Sequence, residues 1–156
     1  MNRLNSRMKT LLSRFAAPLA VLLLSAVLVS AKPGWGDDYK KGLAQGGSEK
    51  KLILLDFTGS DWCPWCIKLD KEIFSQKEFK DYAKDNLVLV ELDFPRSKKL
   101  PKHTEEQNDS LQQEFKIEGY PTVIVLNAQG KKVGQLGYME GGPKAFIAEL
   151  DKLKGK

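Results

Sequence analysis

The amino-acid sequence predicts an α/β domain built on a mixed central sheet with helices on both faces, and three observations predict it. Short apolar runs bounded by turn residues occur at 52–57, 87–94 and 122–126, the lengths of strands rather than helices. Helical patterns separate the first run from the second and the second from the third, and such alternation builds parallel strand pairs. The turn Asn127-Ala128-Gln129-Gly130 then joins the third run to a fourth over 131–138, which adds an antiparallel hairpin. A chain of 156 residues fits one domain.

The first 31 residues read as an export signal. Arg3, Arg7, Lys9 and Arg14 form a cationic start, residues 15–29 are apolar, and Val29-Ser30-Ala31 supplies small residues for cleavage after Ala31. The apolar run is about 15 residues, shorter than the roughly 20 that span a bilayer, so the mature form is expected to be exported and not membrane-embedded, with an uncleaved membrane anchor as the alternative. No Cys follows the run to take a lipid. The formal charge of +5 comes from 25 Lys and Arg against 20 Asp and Glu, and without those four basic residues 21 face 20. A near-neutral remainder with intermingled signs argues against a nucleic-acid partner.

Along the remainder, 32–47 is Gly-rich and polar and reads as a flexible lead-in that docks locally, with one short helix over 37–44, followed by the domain proper over 48–156. The first strand, 52–57, has the pattern of burial on both faces, and Asp56 inside it is unusual. Ile67, Leu69, Ile73 and Phe74 then follow a helical spacing that should break at Ser75. Ser75 and Glu78 read as a capping box for a second helix carrying Phe79, Tyr82 and Ala83. The second strand ends at Pro95, and 96–104 reads as a polar loop containing Lys98, Lys99, Lys102 and His103. Leu111, Phe115 and Ile117 give a helix over 110–117. Pro143 opens a last helix with Phe146, Ile147, Leu150 and Leu153 on one side.

The chemistry lies in Trp62-Cys63-Pro64-Trp65-Cys66. Two cysteines three positions apart at the start of a helix can close a disulfide with little backbone movement. Unpaired N–H groups and the helix dipole at that point should lower the first thiol from about 8.5 toward roughly 3.5–7.5. Cys63, the more exposed, is then the nucleophile and Cys66 the resolving thiol. Pro64 suits the first helical turn because it has no N–H to leave unpaired. A metal site needs three or four ligands, and beyond these thiols only His103 is on offer. A structural role for so small a disulfide loop would add little stability.

At this point the chain resembles the thioredoxin superfamily over roughly residues 51–153. Asp56 in the first buried strand, Trp62-Cys63-x-x-Cys66 after it, and Gly119-Tyr120-Pro121-Thr122 before the hairpin match in order. The resemblance implies a thioredoxin fold with a four- to five-stranded mixed sheet. It implies that Pro121 is a cis-proline beside the disulfide, leaving the Tyr120 backbone to pair with substrate, and that Asp56 assists proton transfer at the inner cysteine. A carboxyl in an apolar strand has a raised pKa in any case. The chain departs from thioredoxin in a loop one residue longer between Asp56 and Cys63, and in a Pro-Trp dipeptide closer to that of glutaredoxins. The lead-in to the motif is similar to that of secreted bacterial thioredoxin-like proteins, which points to the periplasm or the extracellular space.

The expected function is thiol-disulfide exchange on protein substrates, more as reductase or general exchanger than oxidase. Cys63, Cys66 and Asp56 are the catalytic candidates, with Trp62, Pro64, Trp65, Tyr120 and Pro121 bordering the substrate. No organic cofactor or metal is implied beyond the redox-active pair. Expected partners are protein thiols and disulfides, with a membrane electron-donor protein as candidate source of electrons, and the domain is expected to be a monomer. Two alternatives stand beside this reading: a copper-binding metallochaperone using Cys63, Cys66 and His103, and a noncatalytic adaptor binding through Trp65 and Tyr120.

Overall fold

A computed structural model describes residues 32–155, so the expected export signal lies outside the described residues. The elements run α1 (Tyr39–Glu49), β1 (Leu52–Thr58), α2 (Pro64–Leu69), a π-helical turn (Asp70–Phe74), α3 (Lys77–Asn86), β2 (Leu87–Asp93), α4 (Lys102–Glu114), β3 (Thr122–Leu126), β4 (Lys132–Leu136) and α5 (Gly142–Asp151). The sheet order is β2-β1-β3-β4, with β1 parallel to β2 and antiparallel to β3, and β3 antiparallel to β4. This is the mixed sheet that the strand and helix order predicts. A single bridge from Gly36 to Val90 adds the start of a fifth strand outside β2.

β1 is central and buried at all seven positions, and its alternating side chains divide the core in two. Leu52 and Leu54 face Leu69, Ile73, Phe74, Phe79, Phe146 and Leu150 beneath α2, α3 and α5. Ile53, Leu55 and Phe57 face Leu111 and the aromatic rings of Tyr39, Phe94 and Phe115 beneath α1 and α4. Asp56 and Thr58 fall on the same face as Leu54, the α2 side.

Three expectations are corrected. The stretch 32–47, read as a flexible lead-in, is built into the fold: α1 extends to Glu49, Trp35 is 7% exposed against Phe74 at 5.1 Å, and Gly36 is hydrogen-bonded to Leu89 and Glu91 of β2. The glycines that suggested flexibility permit close packing instead. A Cβ on Gly42 would come 2.5 Å from Val90, and one on Gly46 would overlap Ile53. The capping box of Ser75 and Glu78 does not form, because Ser75 Oγ donates to Asp70 at 2.9 Å and Gln76 caps α3 through its backbone alone. The helix expected over 110–117 begins at Lys102, since its first two turns turn only Thr104 and Asn108 inward and carry no apolar stripe to read. Phe115 and Ile117 pack after its end.

Replacement of Trp35 by Ala is expected to lower the unfolding free energy by about 3–5 kcal/mol, the range for truncating a large buried aromatic. Urea unfolding checks it, and a loss below about 0.5 kcal/mol would return 32–36 to the status of a loose tail.

Candidate redox site

The site lies at the carboxyl ends of the parallel pair β1 and β2, where an open sheet leaves room for a ligand. The chain leaves β1 through a tight turn in which Trp62 and Cys63 both donate to the Gly59 carbonyl, at 3.2 and 2.9 Å. Gly59 is required there, because a side chain would enter the Trp62 indole. Cys63 is the N-cap of α2, Pro64 opens the helix, and Cys63 and Cys66 form a disulfide with their Cα atoms 5.2 Å apart. The Cys66 N–H donates to Cys63 Sγ at 3.2 Å, so the outer sulfur takes up one of the free amides of the helix start.

Contrary to the expectation that Cys63 is the more exposed, both cysteines are 4% exposed. Cys63 Sγ is bonded to Cys66 and accepts from the Cys66 N–H in the first turn of α2. What reaches solvent is the next residue pair, with Pro64 exposed and Trp65 55% exposed.

The longer loop after β1 is held from beneath. Asp61 accepts from the backbone N–H groups of Arg96 at 3.0 Å and Ser97 at 2.7 Å, and from Ser97 Oγ. Those bonds, the Ser97 side chain first, hold its carboxyl down to about 2. Asp93 accepts from the N–H and hydroxyl of Ser60 and pairs with Lys98 at 2.9 Å. Trp62 Nε1 donates to the Phe94 carbonyl at 2.7 Å. The loops after β1 and β2 therefore form one connected rim. Lys98, which reads in sequence as part of a solvated loop, is one of its ties.

Around the disulfide stand two aromatic groups. Trp62 meets Tyr120 edge-on at 5.8 Å, with the Arg96 guanidinium 3.7 Å from the indole centroid, and Tyr120 packs on Phe94 while its hydroxyl accepts from Gln112. Trp65 packs on Tyr138 at 5.2 Å, with Lys68 over both rings. The Tyr120–Pro121 peptide is cis, and both residues are half-buried. Arg96 and Lys68 were not legible as site residues, because a cation stacked on a ring across the fold looks in sequence like any surface charge.

Asp56 is 3% exposed, and its Oδ1 is buried without a hydrogen-bond partner. Burial raises its pKa to about 7; Lys32 pulls the other way, and Glu91, Asp70 and Asp93 add to the rise. It does not reach a strand end and solvent. Glu91, directly opposite Asp56 in the parallel register, is also raised, first by burial.

His103 lies in the first turn of α4, exposed, facing a groove toward Asp37 and Tyr39 of the α1 side rather than sitting in a loop. Among the described residues no group of three or more His, Cys, Asp or Glu is arranged to hold a metal ion. No helix among them is long and apolar enough to cross a membrane.

Residues 39–154 match the family model of a thioredoxin-like domain. The chain is 34% identical over 123 residues to the disulfide bond reductase DsbH of Chlamydia pneumoniae, covering 79% of this chain and 74% of that protein. It is 30% identical over 120 residues to the thiol:disulfide interchange protein DsbD of Pseudoalteromonas atlantica, covering 75% of this chain but only 18% of that longer protein. A solved structure of a DsbH oxidoreductase superposes with a TM-score of 0.73 at 32% identity, over 81% of this chain and 91% of that one. The fold is that of thioredoxin.

In the unfolded chain Asp56 ionises near its ordinary 3.8 and in the folded protein near 7, so between those values the folded state holds the extra proton. Stability is accordingly expected to fall as pH rises from about 4 through about 7. Asp56→Asn should remove that contribution and stabilise the protein at pH 8 by roughly 2–4 kcal/mol. Denaturant melts of both proteins at pH 5 and pH 8 check the sign, and an Asn variant less stable at pH 8 would contradict it.

Proposed function

This chain belongs to the thioredoxin-like family and is a thiol-disulfide oxidoreductase with a Cys63–Cys66 pair, and from that premise we propose that it is an exported reductase of protein disulfides. In the reducing cycle the Cys63 thiolate attacks a substrate disulfide, forming a mixed disulfide and releasing one substrate sulfur as thiolate. Cys66 then gives up its proton to the Asp56 carboxylate and attacks Cys63 Sγ. The Cys63–Cys66 bond forms, the second substrate sulfur leaves, and two electrons have passed to the substrate. A donor dithiol, on a membrane electron-donor protein in this proposal, reverses the exchange to restore Cys63 and Cys66.

The observation that carries the direction is the charge beneath the pair. The α2 face of β1 and β2 presents the carboxyls of Asp56, Glu91 and Asp93, and the turn after α2 presents Asp70. Asp93 is paired with Lys98 and Asp70 with Lys32, so the acids left without a cation on that side are Asp56 and Glu91, whose charge disfavours a thiolate there and so the reduced form relative to the disulfide. A dithiol whose reduced form lacks stabilisation is a reductant, the opposite of a strong oxidant. The similarity to a disulfide bond reductase supports the same direction.

The half-buried Tyr120 and cis-Pro121, with Trp62, Pro64 and exposed Trp65 opposite, form the proposed seat for an extended substrate segment. Export rests on the segment 1–31 and its expected cleavage after Ala31.

Equilibration of the protein in dithiothreitol buffers, followed by Trp fluorescence, is expected to give a midpoint near −270 mV rather than about −120 mV, the value of a strong disulfide-forming oxidant. Cys63→Ser should abolish turnover, and Cys66→Ser should accumulate partners as mixed disulfides on Cys63. A midpoint near −120 mV overturns the direction, and a pair that never titrates overturns the redox reading.

A further inference from the structure

Two cations lie on the two tryptophans that border the disulfide, and their surroundings differ. On the α2 side, Lys68 is 5.0 Å from the Trp65 ring centroid and 4.6 Å from that of Tyr138. Acids share that place: the Tyr138 hydroxyl donates to Glu72 at 2.6 Å, and the charges of Glu72 and Glu140 act on Lys68. The same helix exposes Trp65 and Ile67. That side of the site is apolar, and its one lysine is offset.

On the β2 side stands Arg96. Its guanidinium carbon is 3.7 Å from the Trp62 ring centroid, Trp62 meets Tyr120 edge-on at 5.8 Å, and Tyr120 leads into the cis bond to Pro121. Arg96, Trp62 and Tyr120 therefore form a connected row from the β2 loop to the proposed substrate seat. Arg96 is exposed, and among the described residues its guanidinium enters no ion pair. The acids of the adjoining loops are engaged elsewhere. Asp61 accepts from the backbone N–H of Arg96 at 3.0 Å, from that of Ser97 at 2.7 Å and from the Ser97 hydroxyl, and Asp93 pairs with Lys98. Those bonds fix the Arg96 backbone while the indole supports its side chain. A guanidinium carried on a ring keeps its N–H groups at its edge, where they match the two oxygens of a carboxylate, and the ring displaces part of the water that would screen it.

We propose that Arg96 is a specificity-determining residue of the exchange reaction: its guanidinium, carried on Trp62 beside Cys63, takes the carboxylate of an Asp or Glu side chain next to the reacting cysteine, so that disulfides in acidic protein segments are the preferred substrates. The proposal deepens the reading of the chain as a reductase of protein disulfides and rests on it. Because Lys68 is offset by Glu72 and Glu140, the charge selection falls on the β2 side of the disulfide, and the Trp65 side is left to apolar side chains.

The test follows single-turnover reduction by the full chain in its dithiol form. The substrates are peptides whose single cysteine is joined to a neutral pyridinethiol and flanked by Glu in one peptide and by Lys in the other. Cys63 attacks the peptide sulfur, pyridinethione leaves and is read by its absorbance, and Cys66 then attacks Cys63 Sγ and frees the peptide thiol. Two electrons and two protons pass from the dithiol to the two products as the Cys63–Cys66 bond forms. At low salt the Glu peptide is expected to react about tenfold faster than the Lys peptide below saturation, with the difference in apparent affinity rather than in the limiting rate, and high salt should bring the two together. Arg96→Gln should remove most of the preference and Arg96→Glu should invert it. A wild-type ratio near one, or a ratio that neither substitution moves, overturns the role of Arg96. So does an equal loss of preference in Lys99→Gln, which drops an exposed charge from the same loop and would assign the effect to the loop's overall charge. A wild-type chain that reduces neither peptide overturns the reductase reading and this proposal with it, whereas reduction of both at one rate leaves that reading standing and only Arg96 falls.

Discussion

A carboxyl group sealed inside the central strand is the constraint around which the rest of the site is arranged. β1 is buried along its whole length, so Asp56 cannot turn to solvent, and an ionised acid there would carry a large desolvation cost. The fold does not remove that cost with a direct ion pair. It sets a second acid, Glu91, beside the first, and Lys32 pairs with Asp70 rather than with Asp56. A fully paired Asp56 would be locked as an anion, and an isolated one would be locked neutral. Opposed influences leave it between the two, the condition that the proposed exchange of a proton with Cys66 requires.

The same strand delivers the cysteines. Where β1 ends, the chain turns on Gly59, caps α2 with Cys63 and buries Leu69 back onto the face that holds Asp56. Disulfide and acid are thus fixed to one short stretch of backbone, from 56 to 66. The loop after β2 closes on it through Asp61, Ser60 and the Trp62 indole. Because these ties are to backbone groups and buried carboxylates rather than between flexible surface side chains, the rim is preorganised, and substrate need not pay to order it. Arg96 and Lys68 then lie on the two tryptophans that border the disulfide.

How far the sequence revealed this depends on how local each signal is. The four strands, the hairpin, the disulfide and the acid in β1 each announce themselves within six or seven residues, through apolar runs, a turn and a three-residue cysteine spacing. Helix α4 was half hidden because its first two turns are polar and use Thr104 and Asn108 as their inward contacts. The packing of 32–47 was hidden by its glycines, which read as freedom and serve as clearance; the lone Trp35 among them was the available sign of a docked segment. Glu91 was visible as a second acid in a strand run, but its meaning appears only once the register sets it against Asp56. Lys32 meets Asp70 across 38 positions of chain and Arg96 meets Trp62 across 34, and no periodic pattern encodes a contact of that kind.

The two cysteines consequently sit in unlike fields although they are equally buried. Cys63 Sγ is turned to the free amides of the helix start, which favour an anion there. Cys66 is one turn further in, on the side of the sheet where Asp56 and Glu91 are left without a cation, which opposes one. On the proposed reading the outer thiol is therefore the one that ionises readily and attacks, while the inner keeps its proton until Asp56 can take it. That order is what a reductant needs: an inner thiolate formed too early would compete for Cys63 before a substrate arrived, and one that could never form would leave the mixed disulfide unresolved. The direction of electron flow and the timing of the proton then have a common electrostatic origin. On that reading, charge on the inner side of the disulfide makes the dithiol costly to hold, which is what drives electrons on to the substrate.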